Sequence, residues 1–461
     1  MRFPTPPPLL ICIFAATTTL LPAASAPGKP NILVIVSDDH GYSDVGFHGC
    51  KDIPTPNLDR LAAGGLRCTR GYVSHPFCSP TRAGLMTGRY QQRFGHENNP
   101  FYNPEDHLEG LPVSEKLLPA FLKDAGYITG WIGKWHLGAA PEFRPTVRGF
   151  TETFGFIGGG HRYLDWKPNI KNEYLVPIER NGKPVDVAGH LTTVFGTEAA
   201  DFVKRHTDAP WFLYLAFNAP HTPHEPTPER LARFTSIPDP KRRKYAAQVS
   251  LMDDAIGTAL AALKESAQEQ RTLVFFFSDN GGPIGASGNG SSNEPLRGGK
   301  GTLYEGGVRV PFVVSWPGKL SSGKTYDQPV CSLDVFATTM AAAGIAMPAD
   351  RKYDSVDLMP YLTGSNPKPP HDRLFWRSGA QSAALEGDRK LVRPPKVAPG
   401  FYHLDKDPGE SGPDAEPPAD LTSALEIWSR ELVKPAFPGL AGRNQPKKPQ
   451  QPNTKAASPN P

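Results

Sequence analysis

Cysteine is scarce in this chain, with five among 461 residues. A short, disulfide-rich secreted scaffold is therefore excluded. Cys12 lies in an N-terminal apolar run, and the rest of the chain holds Cys50, Cys68, Cys78 and Cys331. Cys50 and Cys68 could pair in an oxidising compartment, but the sequence leaves that question open.

A strong charge imbalance is also missing. The net charge is +4, and the segment from Ala436 accounts for it with four basic residues and no acid. The rest of the chain is near neutral, so no nucleic-acid partner is expected. A length of 461 residues with 38% apolar and 21% charged residues predicts a globular protein of one large and one smaller unit.

Long apolar runs are missing beyond the N-terminus. Leu9–Leu21 is short for a bilayer-spanning helix, follows Arg2, and precedes Ala24-Ser25-Ala26, a small-residue cleavage pattern. The sequence therefore predicts a signal peptide over residues 1–26 in preference to a membrane anchor. It also predicts a secreted or periplasmic protein with no membrane span.

Continuous apolar runs rich in β-branched residues predict strands that are buried on both faces. These runs are Ile32–Val36, Trp211–Phe217, Thr272–Phe277 and Val308–Val314. Helical patterns lie between them, at Asn57–Ala63 after Thr55-Pro56, at Glu115–Ala125 with Ser114 as cap, and at Tyr245–Ser266. Strands that alternate with helices predict an α/β fold with helices on both faces of a sheet.

The pattern changes after Pro369. Short strand-like pieces occur at 374–376, 383–385, 390–392 and 401–404, and a helical pattern follows at Leu421–Leu432. These pieces predict a small antiparallel sheet with one helix. The expected domains are a large domain over residues 27–369, a C-terminal subdomain over 370–435, and a disordered, basic, Pro-rich tail over 436–461.

The segment Cys78–Arg82 carries the strongest local signal. Ser79 is a good N-cap, Pro80 suits the first helical turn, and Gly88 can end the helix. Residue 78 is then expected just before a helix N-terminus, where free N–H groups and the dipole favour anions. Arg82, about one turn further on, can reach back to the same point. The alternative is a buried cysteine before an ordinary helix.

Carboxylate and amide side chains follow two of the predicted strands. Asp38-Asp39 ends the first strand, and Asp279-Asn280 ends the strand at Thr272–Phe277. A third polar motif, Asn218–His221, follows another strand, and ligand sites in such sheets lie outside the strand carboxyl ends. The oxygen set suits Ca²⁺ or Mg²⁺ rather than Zn²⁺. Helix caps and turns are the alternative for either pair alone.

These motifs, taken together, resemble the formylglycine-dependent sulfatases of the alkaline-phosphatase-like superfamily. The resemblance runs from Asn31 to Leu432. It is carried by Cys78-x-Pro80-x-Arg82, Asp38–Gly46, Thr55–Leu61, Gly133–Gly138, Pro220-His221-x-Pro223 and Gly298–Pro311, and more loosely by Gly387–Leu391 and Tyr402–Glu410. It implies a large mixed sheet sandwiched by helices, with a small C-terminal antiparallel-sheet subdomain.

The resemblance also implies a nucleophile and a metal site. A formylglycine-generating enzyme would oxidise Cys78 to Cα-formylglycine, whose hydrate is the nucleophile. Asp38, Asp39, Asp279 and Asn280, with the residue-78 side chain, would bind a divalent cation, Ca²⁺ by family habit and Mg²⁺ as the alternative.

The remaining roles concern charge and protons. Arg82, with the metal, would ease ionisation of the hydrate, while Lys134 and Lys300 would hold sulfate oxygens. One hydrate oxygen would attack sulfur, and His221 would protonate the leaving alcohol. His136 would then take a proton from the second hydroxyl, which expels sulfate and restores the aldehyde.

The chain departs from the family where several members carry a polar residue that touches the sulfate. Here Gly158–Gly160 and His161 occupy that region. His161 or Tyr163 is the candidate for lining the leaving-group pocket and binding substrate, and the glycines equally fit a flexible turn.

The function predicted from the resemblance is sulfate ester hydrolysis, with a sulfated polysaccharide or oligosaccharide as expected substrate. A small aryl or steroid sulfate is the other substrate class. Two alternatives keep the fold: a phosphonate or phosphodiester hydrolase with the same aldehyde, and an inactive glycan-binding relic. The intact set of candidate residues argues against the relic.

Overall fold

The structure of the protein is a computed structural model that describes residues 1, 28–414 and 416–439. The predicted signal peptide and the predicted tail beyond residue 439 lie outside the described residues. No helix in the described part is both long and apolar enough to cross a membrane.

Strands and helices alternate through the first two thirds of the chain, and a run of strands follows. The strands are β1 (Asn31–Ser37), β2 (Leu66–Cys68), β3 (Gly71–Tyr72), β4 (Ile128–Lys134), β5 (Glu152–Phe156), β6 (Glu179–Arg180), β7 (Lys183–Pro184), β8 (Trp211–Ala216), β9 (Thr272–Ser278), β10 (Phe312–Ser315), β11 (Lys324–Tyr326), β12 (Val330–Cys331), β13 (Leu374–Ser378), β14 (Gln381–Glu386), β15 (Arg389–Arg393) and β16 (Gly400–His403). The helices are α1 (Pro56–Ala63), α2 (Cys78–Thr87), α3 (Leu118–Asp124), α4 (Leu191–Arg205), α5 (Pro228–Ala232), α6 (Pro240–Glu265), α7 (Glu305–Val308), α8 (Asp334–Ala342), α9 (Met359–Leu362) and α10 (Ala419–Arg430).

One large mixed sheet organises the fold, in the strand order β11-β2-β10-β9-β1-β8-β4-β5-β6-β7. Strands β9, β1, β8, β4 and β5 run parallel, and β10 runs antiparallel to β9. Alternate side chains of β1 enter different cores: Ile32 and Val34 lie in one apolar cluster, and Leu33 and Ile35 in the other. The sheet is therefore buried on both faces, which confirms the predicted α/β architecture.

Three predicted element starts differ from the structure by three residues or more. Helix α6 begins at Pro240 instead of Tyr245, because Asp239 caps it by accepting from Lys241 N. The strand predicted from Val308 begins at Phe312, because Val308 ends the short helix α7 and Pro311 has no N–H for a ladder. Helix α3 begins at Leu118 instead of Glu115. The Glu115 carboxylate pairs with Arg89, and its carbonyl accepts from Arg148, so the preceding segment is held as a loop.

The C-terminal region forms the predicted small antiparallel sheet, in the order β13-β14-β15-β16. Helix α10 packs on it, with Trp428 stacked on Phe375 at a ring-centre distance of 5.3 Å. The domain limits at residues 369 and 370 stay a prediction. Ala436 donates its N–H to Gly95 O, and Phe437 is buried, so any tail begins later than the predicted residue 436.

The cysteines of the described chain, Cys50, Cys68, Cys78 and Cys331, carry free thiols. The pairing of Cys50 with Cys68 that the sequence left open is therefore not formed.

A buried charge network joins the small sheet to the large domain. Lys390 Nζ of β15 lies 2.7 Å from Glu305 Oε1 and 3.1 Å from Glu410 Oε1. Tyr72 donates its hydroxyl to Glu305 Oε2 at 2.9 Å. Lys390 and Glu305 have no solvent exposure, and Arg309 Nη1 is a second cation of the network, 3.3 Å from Glu305 Oε2. Glu410 pairs with Lys390.

Replacing Lys390 with Met should therefore destabilise the fold. The change removes the cation that pairs with Glu410 and leaves Glu305 with Arg309 alone, and breaking a buried pair typically costs roughly 3–5 kcal/mol of unfolding free energy. Denaturant unfolding measures the effect. The control is Lys204→Ala, which removes an exposed pair with Glu265 and should leave the midpoint almost unchanged. Equal unfolding midpoints for the two variants would contradict the role assigned to the network.

Candidate active site

The candidate site forms where the parallel strands end. Asp38 and Asp39 follow β1, and Asp279 follows β9. Ligand atoms of these three carboxylates and of Cys78 all lie within 4.8 Å of one another. The Asp39 N–H donates to Asp279 Oδ1 at 3.3 Å, which ties the two strand ends together. The convergence predicted from the strand-end motifs is therefore present.

Helix α2 carries Cys78 into this cluster. The helix begins at Cys78 itself, with Phe77 as N-cap residue, so the prediction that Ser79 caps it is wrong. The reason is that Ser79 Oγ bonds elsewhere, donating to His136 O at 2.5 Å and contacting His96 Nε2 at 2.7 Å. Gly88 ends the helix in a left-handed conformation, as expected.

The Cys78 side chain lies between charges of both signs. Its Sγ is 3.4 Å from Asp38 Oδ1 and 3.4 Å from Lys300 Nζ. Burial raises the pKa of this thiol far beyond its ordinary value, although Lys134 and Lys300 act in the opposite direction. The unmodified thiol is therefore protonated at neutral pH and a weak nucleophile.

Each carboxylate of the cluster has a cationic partner. Lys134 Nζ lies 2.6 Å from Asp38 Oδ2, and Lys300 Nζ lies 2.7 Å from Asp39 Oδ1. The third pair joins Arg82 Nη2 to Asp279 Oδ2 at 2.7 Å, with Arg82 Nε on the same oxygen at 2.9 Å. The three pairs balance in charge, which allows the cluster to be buried.

Arg82 is placed as a partner of Asp279 and also donates to Lys134 O and to Tyr214 Oη, each at 3.3 Å. The guanidinium is fully buried. Burial would lower its pKa, but Tyr214 and the carboxylates raise it, so the charge is permanent. Arg82 thus orients Asp279 and joins helix α2 to β4 and β8.

This environment shifts the pKa values of Asp38 and Asp279 in opposite directions. Burial alone would raise the pKa of Asp38, but Lys134, His221 and Arg82 hold it well below the ordinary range. Burial and the neighbouring Asp38 raise the pKa of Asp279 to about 6, against the opposing charge of Arg82. Asp279 is therefore the carboxyl that benefits most from an added positive charge.

The donor set fits a hard divalent cation. Three carboxylates meet in one buried space, and Asn280 contributes an amide whose Nδ2 donates to Asp39 Oδ1 at 2.7 Å. Asn280 Oδ1 is buried and has no hydrogen-bond partner in the described part of the chain. A cation bound by oxygens would satisfy this atom and relieve the repulsion between the carboxylates.

Two of the predicted site residues have left-handed backbones, with φ of +62° at Asp39 and +59° at His136. Such angles are uncommon for residues other than glycine and cluster at functional sites. The Ser79 hydrogen bond to His136 O and the His136 N–H donation to Ile157 O, at 3.1 Å, hold the second strained residue.

The two predicted catalytic histidines both border the cluster. His221 Nδ1 lies 2.6 Å from Thr222 O, and its Nε2 lies 3.5 Å from Asp39 Oδ2. Burial lowers the pKa of His221, and Asp39 and Asp38 partly oppose that shift. Burial and the charge of Lys134 lower the pKa of His136 well below its ordinary value, so His136 is neutral.

The structure does not bring the His161 side chain to the cluster. Its ring nitrogens lie 2.6 Å from Arg162 O and 2.9 Å from Val176 O, both carbonyls of its own loop region. Tyr163 instead donates its hydroxyl to the carbonyls of Asn218 and His221, each at 2.8 Å. His161 is thus a scaffold for the loop, and Tyr163 supports the main chain beside His221.

Sequence reasoning missed several supporting side chains. Asn289 Nδ2 donates to Asp39 O at 3.4 Å, and Ser278 Oγ accepts from His40 N at 3.1 Å. Ser278 was detectable as the last residue before Asp279, whereas nothing local marks Asn289 or the true partner of Ser79.

Comparison with known proteins agrees with this geometry. A sulfatase family profile matches residues 30–345. Human N-acetylgalactosamine-6-sulfatase is 36% identical over 91% of this chain and 89% of its own length. Mouse steryl-sulfatase is 33% identical over 83% of this chain and 74% of its own length.

Solved structures extend the comparison to the fold. The crystal structure of Ps i-CgsB in complex with k-i-k-neocarrahexaose matches with a TM-score of 0.83 and 35% identity, over 89% of this chain and 94% of that one. A phosphonate monoester hydrolase of Agrobacterium radiobacter matches at 0.63 with 21% identity, over 87% of this chain and 94% of that one. The second likeness concerns the fold alone.

Replacing Ser79 with Ala should loosen the strained His136 segment. The change leaves His136 O without its side-chain donor, and a lost buried hydrogen bond costs about 1–3 kcal/mol. Amide hydrogen exchange should accelerate at His136 more than within β9. The control on the same helix is Thr87→Ala, whose hydroxyl bonds only carbonyls near its own turn. Identical exchange at His136 in the two variants would show that Ser79 does not hold it.

Proposed function

The chain belongs to the sulfatase family of sulfuric-ester hydrolases, and we propose that it desulfates glycans with a formylglycine formed from Cys78. One observation carries this proposal: residue 78 lies inside a balanced, buried cluster of carboxylates and cations that also contains Lys134 and Lys300. An ordinary structural cysteine does not require such surroundings.

The burial of Cys78 supports conversion to another group. A protonated, inaccessible thiol cannot attack an ester, while the hydrate of an aldehyde at the same position supplies the nucleophilic oxygen. Because Cys78 is buried in the folded chain, a formylglycine-generating enzyme would need to act before this region folds.

The lysines account for sulfate binding. Lys300 Nζ lies beside residue 78, and Lys134 Nζ lies on the other side of Asp38. Both keep their positive charge: burial would lower their pKa values, but the neighbouring carboxylates raise them. Fixed cations of this kind stabilise oxygens whose negative charge grows in the transition state.

The histidines divide the proton transfers. His221 Nδ1–H donates to Thr222 O, so Nε2 gives a proton to the leaving alcohol from the imidazolium form, which the carboxylates of Asp39 and Asp38 favour. His136, neutral and buried, is suited to accept a proton from the residue-78 hydroxyl. This division of roles follows the different exposure of the two rings.

Asp38, Asp39, Asp279 and Asn280 would hold the divalent cation, with Ca²⁺ expected and Mg²⁺ as the alternative. When bound, it supplies positive charge that lowers the cost of ionising a hydroxyl and of approaching a sulfate ester. Arg82 keeps Asp279 oriented toward it.

A sulfated oligosaccharide is the proposed substrate. The human relative is named for N-acetylgalactosamine-6-sulfate, and the solved relative binds a neocarrahexaose. We therefore take N-acetylgalactosamine 6-sulfate as the first compound to assay, beside steroid and aryl sulfates. The predicted signal peptide supports an activity outside the cytoplasm.

Cys78→Ala should abolish turnover and leave the melting temperature nearly unchanged, because residue 78 supplies the nucleophile and not the core. A mass spectrum of the peptide that holds residue 78 should show the aldehyde in active protein. Full activity with an unmodified thiol, or comparable activity in Cys78→Ala, would refute the proposed chemistry.

Chelation should lower both the melting temperature and the activity, and Ca²⁺ should restore both by mass action. Without the cation the three carboxylates keep only their lysine and arginine partners, and Asp279, whose pKa is raised to about 6, is the one that takes up a proton as the pH falls. Calorimetric titration should show weaker cation binding in Asp279→Asn, by about tenfold or more for a lost charged ligand.

The matched change for that titration is Asp44→Asn. Asp44 is buried but pairs with Arg242 at 2.6 Å and accepts from Tyr245, outside the cluster. It should lower stability and leave cation affinity intact. Unchanged cation affinity in Asp279→Asn, or full stability and activity after exhaustive chelation, would rule out the proposed metal site.

A further inference from the structure

The exposed members of the site mark where a substrate enters. Lys134 is fully buried, whereas the side chains of Lys300 and His221 are 16% and 13% exposed. The opening therefore lies on the Lys300–His221 side, and the alcohol portion of the ester must occupy it. Tyr174 stands at this opening, 37% exposed, with its ring centre 6.2 Å from that of His221.

The main chain of Tyr174 is fixed on both sides. It lies in the short 3₁₀ helix Glu173–Leu175, and its N–H donates to Asn172 Oδ1 at 3.0 Å. Its carbonyl accepts from the N–H of Arg162 at 3.1 Å. The ring is thus presented to the opening from an ordered backbone.

Gly159 and Gly160 let this short helix approach the catalytic side chains. A Cβ added at Gly160 would lie 2.5 Å from Tyr174 Cε1, so the Tyr174 ring would have to shift. A Cβ added at Gly159 would lie 2.6 Å from His136 Nε2 and 2.6 Å from Glu173 Oε1. These glycines are packed between the 3₁₀ helix and His136, which favours a structural role over the alternative of a flexible turn.

The Tyr174 phenol is neutral. Burial raises its pKa, and the charges of Lys134, Glu173 and Lys300 also act on it, as expected for a group near the cluster. The proposed function assigns the proton transfer at this opening to His221. What it offers at the opening is a fixed aromatic face.

We propose that Tyr174 is a specificity-determining residue whose ring packs against the C–H face of the sugar that carries the sulfate. This inference rests on the proposed function and names the wall of the leaving-group site. A sugar ring has an apolar face, which an aromatic side chain buries without needing a hydrogen-bond partner. With the sugar on Tyr174, the ester oxygen lies toward His221 and the sulfate toward Lys300.

The test uses the full-length, Ca²⁺-loaded enzyme with N-acetylgalactosamine 6-sulfate as substrate and inorganic sulfate as inhibitor. Tyr174→Ala should raise KM about tenfold with kcat little changed, since the packing is present in both ground and transition states. The inhibition constant of sulfate should stay within about twofold, because the lysines are untouched. Tyr174→Phe should keep the wild-type KM.

The matched control is Ile170→Ala. Ile170 is an exposed apolar residue, 65% accessible, on the same loop. It should leave KM for the sugar sulfate unchanged. If Ile170→Ala raises KM as much as Tyr174→Ala, the loop as a whole and not the ring sets affinity, and the proposal is overturned.

Calorimetric binding separates this proposal from the proposed function. Cys78→Ala protein should bind N-acetylgalactosamine 6-sulfate, and adding Tyr174→Ala should weaken its Kd about tenfold. If the wild type never hydrolyses the sugar but this loss is seen, the function fails and the Tyr174 site stands. Equal affinity in the two proteins overturns the Tyr174 site alone, as does a Tyr174→Phe variant as weak as Tyr174→Ala. No binding by Cys78→Ala protein overturns both.

Discussion

The site depends on one electrostatic constraint: three carboxylates are buried within a few ångströms of each other, and each must be compensated. Lys134 reaches Asp38 from β4, Arg82 reaches Asp279 from α2, and Lys300 reaches Asp39 from a glycine-rich loop. Since breaking a buried ion pair is costly, these contacts fix the relative positions of elements that are far apart in sequence. The geometry around residue 78 is a consequence of this pairing.

The same constraint extends into the C-terminal sheet. The loop that carries Lys300 leads into Glu305, whose carboxylate is held by Lys390 of β15. Gln381 of β14 donates to Gly301 O at 2.9 Å, directly beside Lys300. The small sheet thus supports the loop that reaches the candidate nucleophile, which gives a physical reason for the loose motif matches around Lys390 and Glu410.

The sequence predicts well those features that depend on local pattern. The apolar runs of β1, β8 and β9 identify buried strands, and parallel strands bring Asp38, His221 and Asp279 to one edge. Prediction from the sequence fails where the hydrogen-bond or packing partner of a side chain is far away along the chain. Ser79 satisfies a local rule for helix caps, yet its hydroxyl serves His136, 57 positions away. Tyr174 belongs to no motif, and its packing against Gly160 and its ring contact with His221 show where the ring lies.

His161 illustrates the same limit from the opposite side. Its position beside the glycine run is compatible with a pocket residue. The ring orientation, however, is set by the carbonyls of Arg162 and Val176, which no sequence pattern predicts. Sequence proximity to a site places a backbone near it. The hydrogen bonds available to the side chain then decide whether the group faces the substrate or the scaffold.

The burial of residue 78 also sets the order in which modification and folding would occur. In the folded state Sγ lies in contact with Asp38 and Lys300, closed off by helix α2 and the strand ends. A modifying enzyme must reach the residue-78 side chain, so the proposed oxidation would precede the packing of α2. Folding then pairs the carboxylates with their lysines and arginine, which assembles the oxygen cage of Asp38, Asp39, Asp279 and Asn280. The proposed cation would then bind last, once folding has brought the ends of β1 and β9 and helix α2 together.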